Sequence, residues 1–249
     1  MTDIVRIVED VDFSFKEPIA IECLPDVGLV GSIAAFHIIE QLDLKEVAHL
    51  ESDQFPPIMV LHKGILQDPV RIYGKENLMV LTSEIPLPVN TIYQTANVLS
   101  KWFKEKNVRL ELSISGIPAQ DRVKIDTPKV FSVGNGSESR ELLKKLGIDL
   151  MEEGFVAGFY ALMLKELAKI GVPAAALLSQ SFLKYPDPSA AASAILSFNK
   201  IAGTNVEVKN LLEKGDEIRM KARDLMNQTE GTMNDMQKTV EQTIPMMYR

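Results

Sequence analysis

Short apolar segments alternate with amphipathic ones from Ile19 to Ile201, and this alternation restricts the chain to few architectures. Ile4–Val8, Ile19–Leu24, Val47–Leu50, Ile58–His62, Val70–Tyr73, Leu78–Thr82, Val108–Ser115, Lys129–Val133 and Ala175–Ser179 read as strands. Helices are expected from Leu29 to Leu42, from Val89 to Phe103, from Ser137 to Leu146, from Phe155 to Ile170 and from Ser189 to Ile201. Val89, Ile92, Tyr93, Ala96, Leu99 and Phe103 recur at three- and four-residue spacing, the signature of a one-sided helix. The helix after Leu29 is apolar nearly all round, so it should be buried. Turn residues punctuate the pattern: Pro25-Asp26-Val27-Gly28, Gln67-Asp68-Pro69 and Gly171 before Pro173. Strands alternating with helices bury both faces of a mostly parallel sheet. The expected fold is therefore α/β, a three-layer α/β/α sandwich, with Ile58–Thr82 adding an antiparallel meander.

Residues 1–203 read as one body and residues 204–249 as a helical extension. From Asn205 to Glu241 there are no aromatics and charges of both signs alternate. Val208, Leu211, Ile218, Ala222, Leu225 and Met236 follow a loose 3.5-residue rhythm, and six of the eleven methionines lie in 205–249. That pattern predicts one or two long amphipathic helices that pack on the body or on a second copy of the chain, a surface suited to methionine's adaptable side chain. Homo-oligomerisation is the expectation.

Composition narrows the function classes. The net charge is -7 without a basic cluster, which argues against nucleic-acid binding. One cysteine, Cys23, excludes a disulfide framework. Asp3, Arg6, Glu9 and Asp10 crowd the start of the chain and no apolar run reaches the ~20 residues of a membrane span. A soluble, cytoplasmic protein is expected.

Candidate chemistry is sparse. Gly28-Leu29-Val30-Gly31-Ser32 follows a strand and opens a helix, where backbone N–H groups can hold an anion. It lacks both a phosphate-loop Lys and a third dinucleotide glycine, so close strand–helix packing is the favoured reading. Asp26 reads as a cap or turn former. His37, His49 and His62 sit on separate elements, with His37 expected in the core. Glu84 ends a strand but has no identifiable partner in sequence, and Ser179-Gln180-Ser181 lacks the glycines of a nucleophile elbow. No catalytic residue, metal site or cofactor is assigned. The rival reading is an enzyme acting on a nucleoside-like or carboxylate substrate, its anion held at the Gly28–Ser32 helix start.

The last three residues, Met247, Tyr248 and Arg249, form a hydrophobic–Tyr–any ending with a terminal carboxylate, placed just after Pro245. An apolar side chain, a phenol and a carboxylate on a short stalk make a plug for a preformed pocket.

Two body segments accompany this ending. One is Leu24-Pro25-Asp26-Val27-Gly28-Leu29-Val30-Gly31; the other runs from Gly154-Phe155-Val156-Ala157-Gly158 through Gly171-Val172-Pro173 to Tyr185-Pro186-Asp187-Pro188-Ser189-Ala190-Ala191. Together with the tail they resemble the proteasome assembly chaperone family, type 2, in its archaeal form, over roughly residues 15–202. The resemblance implies a nucleoside-phosphorylase-like sandwich without an established catalytic site and a small ring-like homo-oligomer. It implies, too, an ATP-independent assembly chaperone or activator whose C-terminal tails dock between α subunits of the proteasome core particle. Carried onto this chain, the docking positions are Met247, Tyr248 and Arg249. Family members have been linked to carboxylate–amine ligases of the ATP-grasp kind; this sequence shows no acid cluster to support that.

Overall fold

The computed structural model describes residues 4–11, 13–221, 223 and 224. In chain order the strands are β1 (Arg6–Glu9), β2 (Ile19–Cys23), β3 (Lys45–Glu51), β4 (Val60–His62), β5 (Ile65–Gln67), β6 (Val70–Lys75), β7 (Leu78–Ser83), β8 (Leu110–Pro118), β9 (Val130–Gly134), β10 (Asp149–Leu150) and β11 (Ala174–Ser181). The helices are α1 (Val30–Leu42), α2 (Ile92–Glu105), α3 (Ser137–Lys145), α4 (Phe159–Lys169), α5 (Pro188–Ala202) and α6 (Lys209–Glu213).

Nine strands form one sheet in the order β1-β3-β6-β7-β2-β8-β11-β9-β10. Its centre, β7-β2-β8-β11, is parallel throughout. The β1-β3-β6-β7 flank is antiparallel. Successive side chains of a strand point to opposite faces, and β2 shows how both are used. Ile19, Ile21 and Cys23 pack with Val30, Ala34 and Ile38 of α1 and with Ala191, Ile195 and Phe198 of α5. Ala20 faces the other way, into a cluster with Ala96, Leu99 and Phe103 of α2 and Met163, Leu164 and Leu167 of α4. The result is the expected three-layer sandwich.

Asp187 starts α5: its carboxylate accepts from the Ala190 N–H at 3.1 Å, and Pro188 occupies the first turn, where no N–H is needed. For α3 the cap lies one residue before the expected Ser137, at Gly136, whose N–H donates to Ser139 Oγ at 3.3 Å.

Three readings change. The expected strand at Ile58–His62 leaves the main sheet and pairs with Ile65–Gln67 as a separate hairpin. Lys63 and Gly64 both take positive φ there, 50° and 81°, as a tight two-residue turn requires. Helix α2 starts at Ile92 rather than Val89. Helix α4 starts at Phe159, leaving Phe155 in solvent.

The start of the C-terminal extension lies on the body. Val206 and Leu211 are buried in the α1/α5 cluster and Ile218 packs against it. Asn199 fixes this approach: its Oδ1 accepts from the Val206 N–H at 3.0 Å, and its Nδ2 donates to the Val206 carbonyl at 2.9 Å. The expected long helix is interrupted at Lys214; helical backbone resumes over 215–221, and the rest of that expectation lies outside the described residues. No helix among the described residues is long and apolar enough to cross a membrane.

Candidate functional site

The two body segments singled out in the sequence meet at the C-terminal ends of the parallel strands. The Asp187 N–H donates to the Gly28 carbonyl at 2.9 Å, so the Tyr-Pro-Asp-Pro segment is stitched to the glycine turn. Gly28 has φ +63°, and a Cβ there would overlap Ser181 Oγ. A Cβ on Gly31 would overlap the Ile114 carbonyl. Both glycines are therefore dictated by close approach of backbone and neighbouring strands. Asp187 has no solvent exposure and is the centre of this junction. Its two oxygens take Arg122 Nε at 2.7 Å and Nη2 at 2.8 Å, a paired fork. The Phe182 N–H also donates to it, at 3.2 Å, and the Arg122 guanidinium lies over the Phe182 ring, 5.0 Å from its centre.

Beside the turn, under α2 and α4, is a cavity of 160 Å³. Glu22, Asp26, Ser115 and Tyr160 are its polar walls; Leu24, Leu87, Ile92 and Phe159 are among its apolar ones. The place is the crevice beyond the carboxyl ends of β2, β7 and β8, where open α/β sheets bind ligands. Its chemistry is acidic. Asp26 Oδ2 accepts from Ser115 Oγ at 2.6 Å, and its side chain makes no cap hydrogen bond; the Asp26 carbonyl instead forms the turn by accepting from the Leu29 N–H at 2.9 Å. Glu22, 4% exposed, has one oxygen on the Leu24 N–H at 2.9 Å. Burial pushes its carboxyl up to about 7, and the charge of Asp26 adds to the rise. Glu111, on the same face of β8, is fully buried, with Ser113 Oγ donating to it at 2.8 Å. Burial first, then the neighbouring Glu22, raises its carboxyl well above the usual range. Acidic walls with no Lys or Arg among the lining residues make this crevice a poor receptor for a phosphate or carboxylate group.

The remaining sequence candidates are scattered. Cys23 is buried in β2, its thiol raised by burial. Ser179 and Ser181 lie within β11, both buried. His37 is half-buried rather than a core residue, its Nε2 2.6 Å from the Glu207 carbonyl; it clips the extension to α1. Glu84, expected to be a partnerless loop acid, is half-buried, its side chain only 7% exposed and ion-paired with Arg71. His49 gathers carboxylates on both ring nitrogens, an arrangement its isolated position in the sequence did not suggest. Glu22, Glu111, Arg122 and Tyr160 carried no motif; strict alternation in Leu110–Gly116 was the one signal that Glu111 and Ser113 share a face. Met247, Tyr248 and Arg249 lie outside the described residues.

The model of the PAC2 family matches residues 20–226, from β2 through the sandwich to the docked start of the extension, with only β1 lying wholly before it. The chain belongs to the PAC2 family. An uncharacterized protein from Methanocaldococcus jannaschii is 34% identical over 228 residues, covering 92% of this chain and 93% of that protein. Among solved structures, Pyrococcus furiosus PbaA, described as an archaeal homolog of proteasome-assembly chaperone, superposes with a TM-score of 0.85 at 30% identity. The match covers 92% of this chain and 99% of PbaA. Pyrococcus furiosus PbaB, described as an archaeal proteasome activator, shares the fold with a TM-score of 0.75 at 22% identity, over 90% of this chain and all of that one. The fold seen here is thus shared with PbaA and PbaB.

Proposed function

We propose that this protein is an ATP-independent assembly chaperone or activator of the proteasome core particle. In this reading it acts in the cytoplasm as a homo-oligomer whose tails, ending Met247-Tyr248-Arg249, dock on the α subunits. The observation that carries the reading is the likeness to PbaA over 92% of this chain at 30% identity, joined to a hydrophobic–Tyr–any ending. The body motifs support it by their structural occupation. Gly28 and Gly31 are filled against Ser181 and Ile114, and Asp187 is consumed by Arg122 and the α5 cap. A nucleotide enzyme would need that helix start open to an anion; here it stands beside two carboxylates. A body that presents several tails at once suits a small plug, since linked weak sites gain about 10²–10⁴ in avidity.

The test is capture of core particle by full-length protein, by the deletion of residues 247–249 and by Tyr248→Ala. Both variants should lose capture while light scattering shows an unchanged multi-subunit assembly. Capture by the deletion at full strength overturns tail docking, and a monomer at micromolar concentration overturns the oligomer.

A further inference from the structure

On the antiparallel flank, away from the glycine junction, Asp10, Glu46 and His49 each offer a ligand atom, and these three atoms lie within 4.8 Å of one another. We propose that these three residues form a binding site for a divalent transition-metal ion of the zinc or manganese class. Three features carry the assignment.

The first is backbone placement. Residues 46 and 49 of a regular strand point to opposite faces, because their spacing is odd. The register of β3 against β6 shifts between Glu46 and Ala48, leaving Val47 as the extra residue of a bulge. That one residue turns Glu46 to the side of His49, the re-aiming for which bulges are used. Asp10 is brought in by the β1 edge, its N–H donating to the Val47 carbonyl at 2.9 Å.

The second is spacing. His49 Nδ1 is 3.0 Å from the Asp10 carboxylate. Bonds of about 2.0–2.2 Å to a tetrahedral zinc put neighbouring ligand atoms about 3.3 Å apart. The pair needs only a small opening to admit the ion between them.

The third is the opposite side of the ring. His49 Nε2 is 3.4 Å from Glu51 Oε1 and 3.8 Å from Asp68 Oδ2. A carboxylate on the far nitrogen holds a metal-ligating imidazole in the correct tautomer and orientation. Glu46 is itself oriented by Gln67 Nε2, which donates to its Oε2 at 3.2 Å, with Arg71 Nη1 3.9 Å from the same oxygen. One imidazole and two carboxylates suit zinc or manganese better than magnesium or calcium, which prefer oxygen alone. The exposed side leaves positions for water.

The experiment is calorimetric titration of chelator-treated full-length protein with zinc, manganese, magnesium and calcium chlorides in turn. Zinc is expected to bind saturably at one ion per chain and more tightly than magnesium or calcium. His49→Gln and Asp10→Asn should each weaken zinc by more than tenfold, and Glu51→Gln by about 10–100-fold through the imidazole. Circular dichroism of each variant checks that the fold is kept, and a variant that loses it is replaced in the comparison by the other. Absence of saturable zinc binding overturns the site. So does zinc binding of unchanged affinity in the His49→Gln, Asp10→Asn double variant, and so does a preference for calcium or magnesium over zinc.

Discussion

The two faces of the central sheet are built from the same strands but hold opposite chemistry. Toward α1 and α5, β2 and β8 present Ile19, Ile21, Leu112 and Ile114, and the helices answer with Val30, Ala34, Ile195 and Phe198. Toward α2 and α4 the same two strands present Glu22, Glu111, Ser113 and Ser115. Both faces are dry. The first gains from every side chain it buries, about 1.5–3 kcal/mol for a large apolar one. The second carries carboxyl groups whose charged forms are penalised by burial, offset by the Leu24 N–H and the Ser113 hydroxyl. Apolar burial therefore stabilises both layers, and the α2/α4 side alone adds buried carboxyl groups that offset part of its gain.

The comparison breaks or sharpens at three positions. Phe198 is fully buried in the apolar layer, so Phe198→Ala should cost ~3–5 kcal/mol in urea unfolding. A loss below 1 kcal/mol would mean that burial in this layer does not stabilise the fold. The acidic face should appear instead as a pH dependence. Glu22 has a folded value of about 7, above the ordinary carboxyl value of 4.5. Between these values the unfolded chain gives up its proton first, so stability is greatest below the lower one and declines as pH rises through the upper one. The slope attributable to Glu22 is at most ~1.4 kcal/mol per pH unit. Unfolding curves at pH 5, 6, 7 and 8 should show it, and Glu22→Gln should flatten it; a Gln variant with the parent's slope assigns the decline to another group. The smallest effect belongs to Glu111. Burial, then the neighbouring Glu22, raises its carboxyl well above the usual range, so the charged form is the disfavoured one. Glu111→Gln should then lie within about 1 kcal/mol of the parent at neutral pH and become the more stable of the two at alkaline pH. A large loss at neutral pH would show that the charged form is wanted there.

Much of the sandwich was legible because local patterns and tertiary placement agree. The periodicity of Ile92–Phe103 describes a helix with one buried stripe, and the small-residue run after Pro188 a helix buried on nearly every side. The hairpin at Val60–Gln67 was not legible, since its two strands are three residues each and expose Leu61, Ile65 and Leu66. Glycine spacing announced a turn at Gly28–Gly31 without saying what filled it; the answer, Ser181 and the Ile114 carbonyl, comes from strands more than 80 residues away in the chain. The pairing of Glu84 with Arg71 and the gathering of carboxylates around His49 are likewise products of the antiparallel flank.

The amino-acid sequence by itself determined the alternation of elements, the layer architecture and the family resemblance, because helix and strand periods are local and survive without knowledge of neighbours. It also carried the tail pattern Met247-Tyr248-Arg249 on which the proposed docking rests. Leu110–Gly116, with apolar and polar residues strictly alternating, reads locally as a strand with one wet face. Only the tertiary structure decided that α2 and α4 would close over that polar side, bury Glu111 and leave Glu22 and Asp26 on the wall of a crevice. The physical reason is that burial belongs to the packed layer, while alternation belongs to the strand: which face meets water is settled when a helix from elsewhere in the chain is laid upon it.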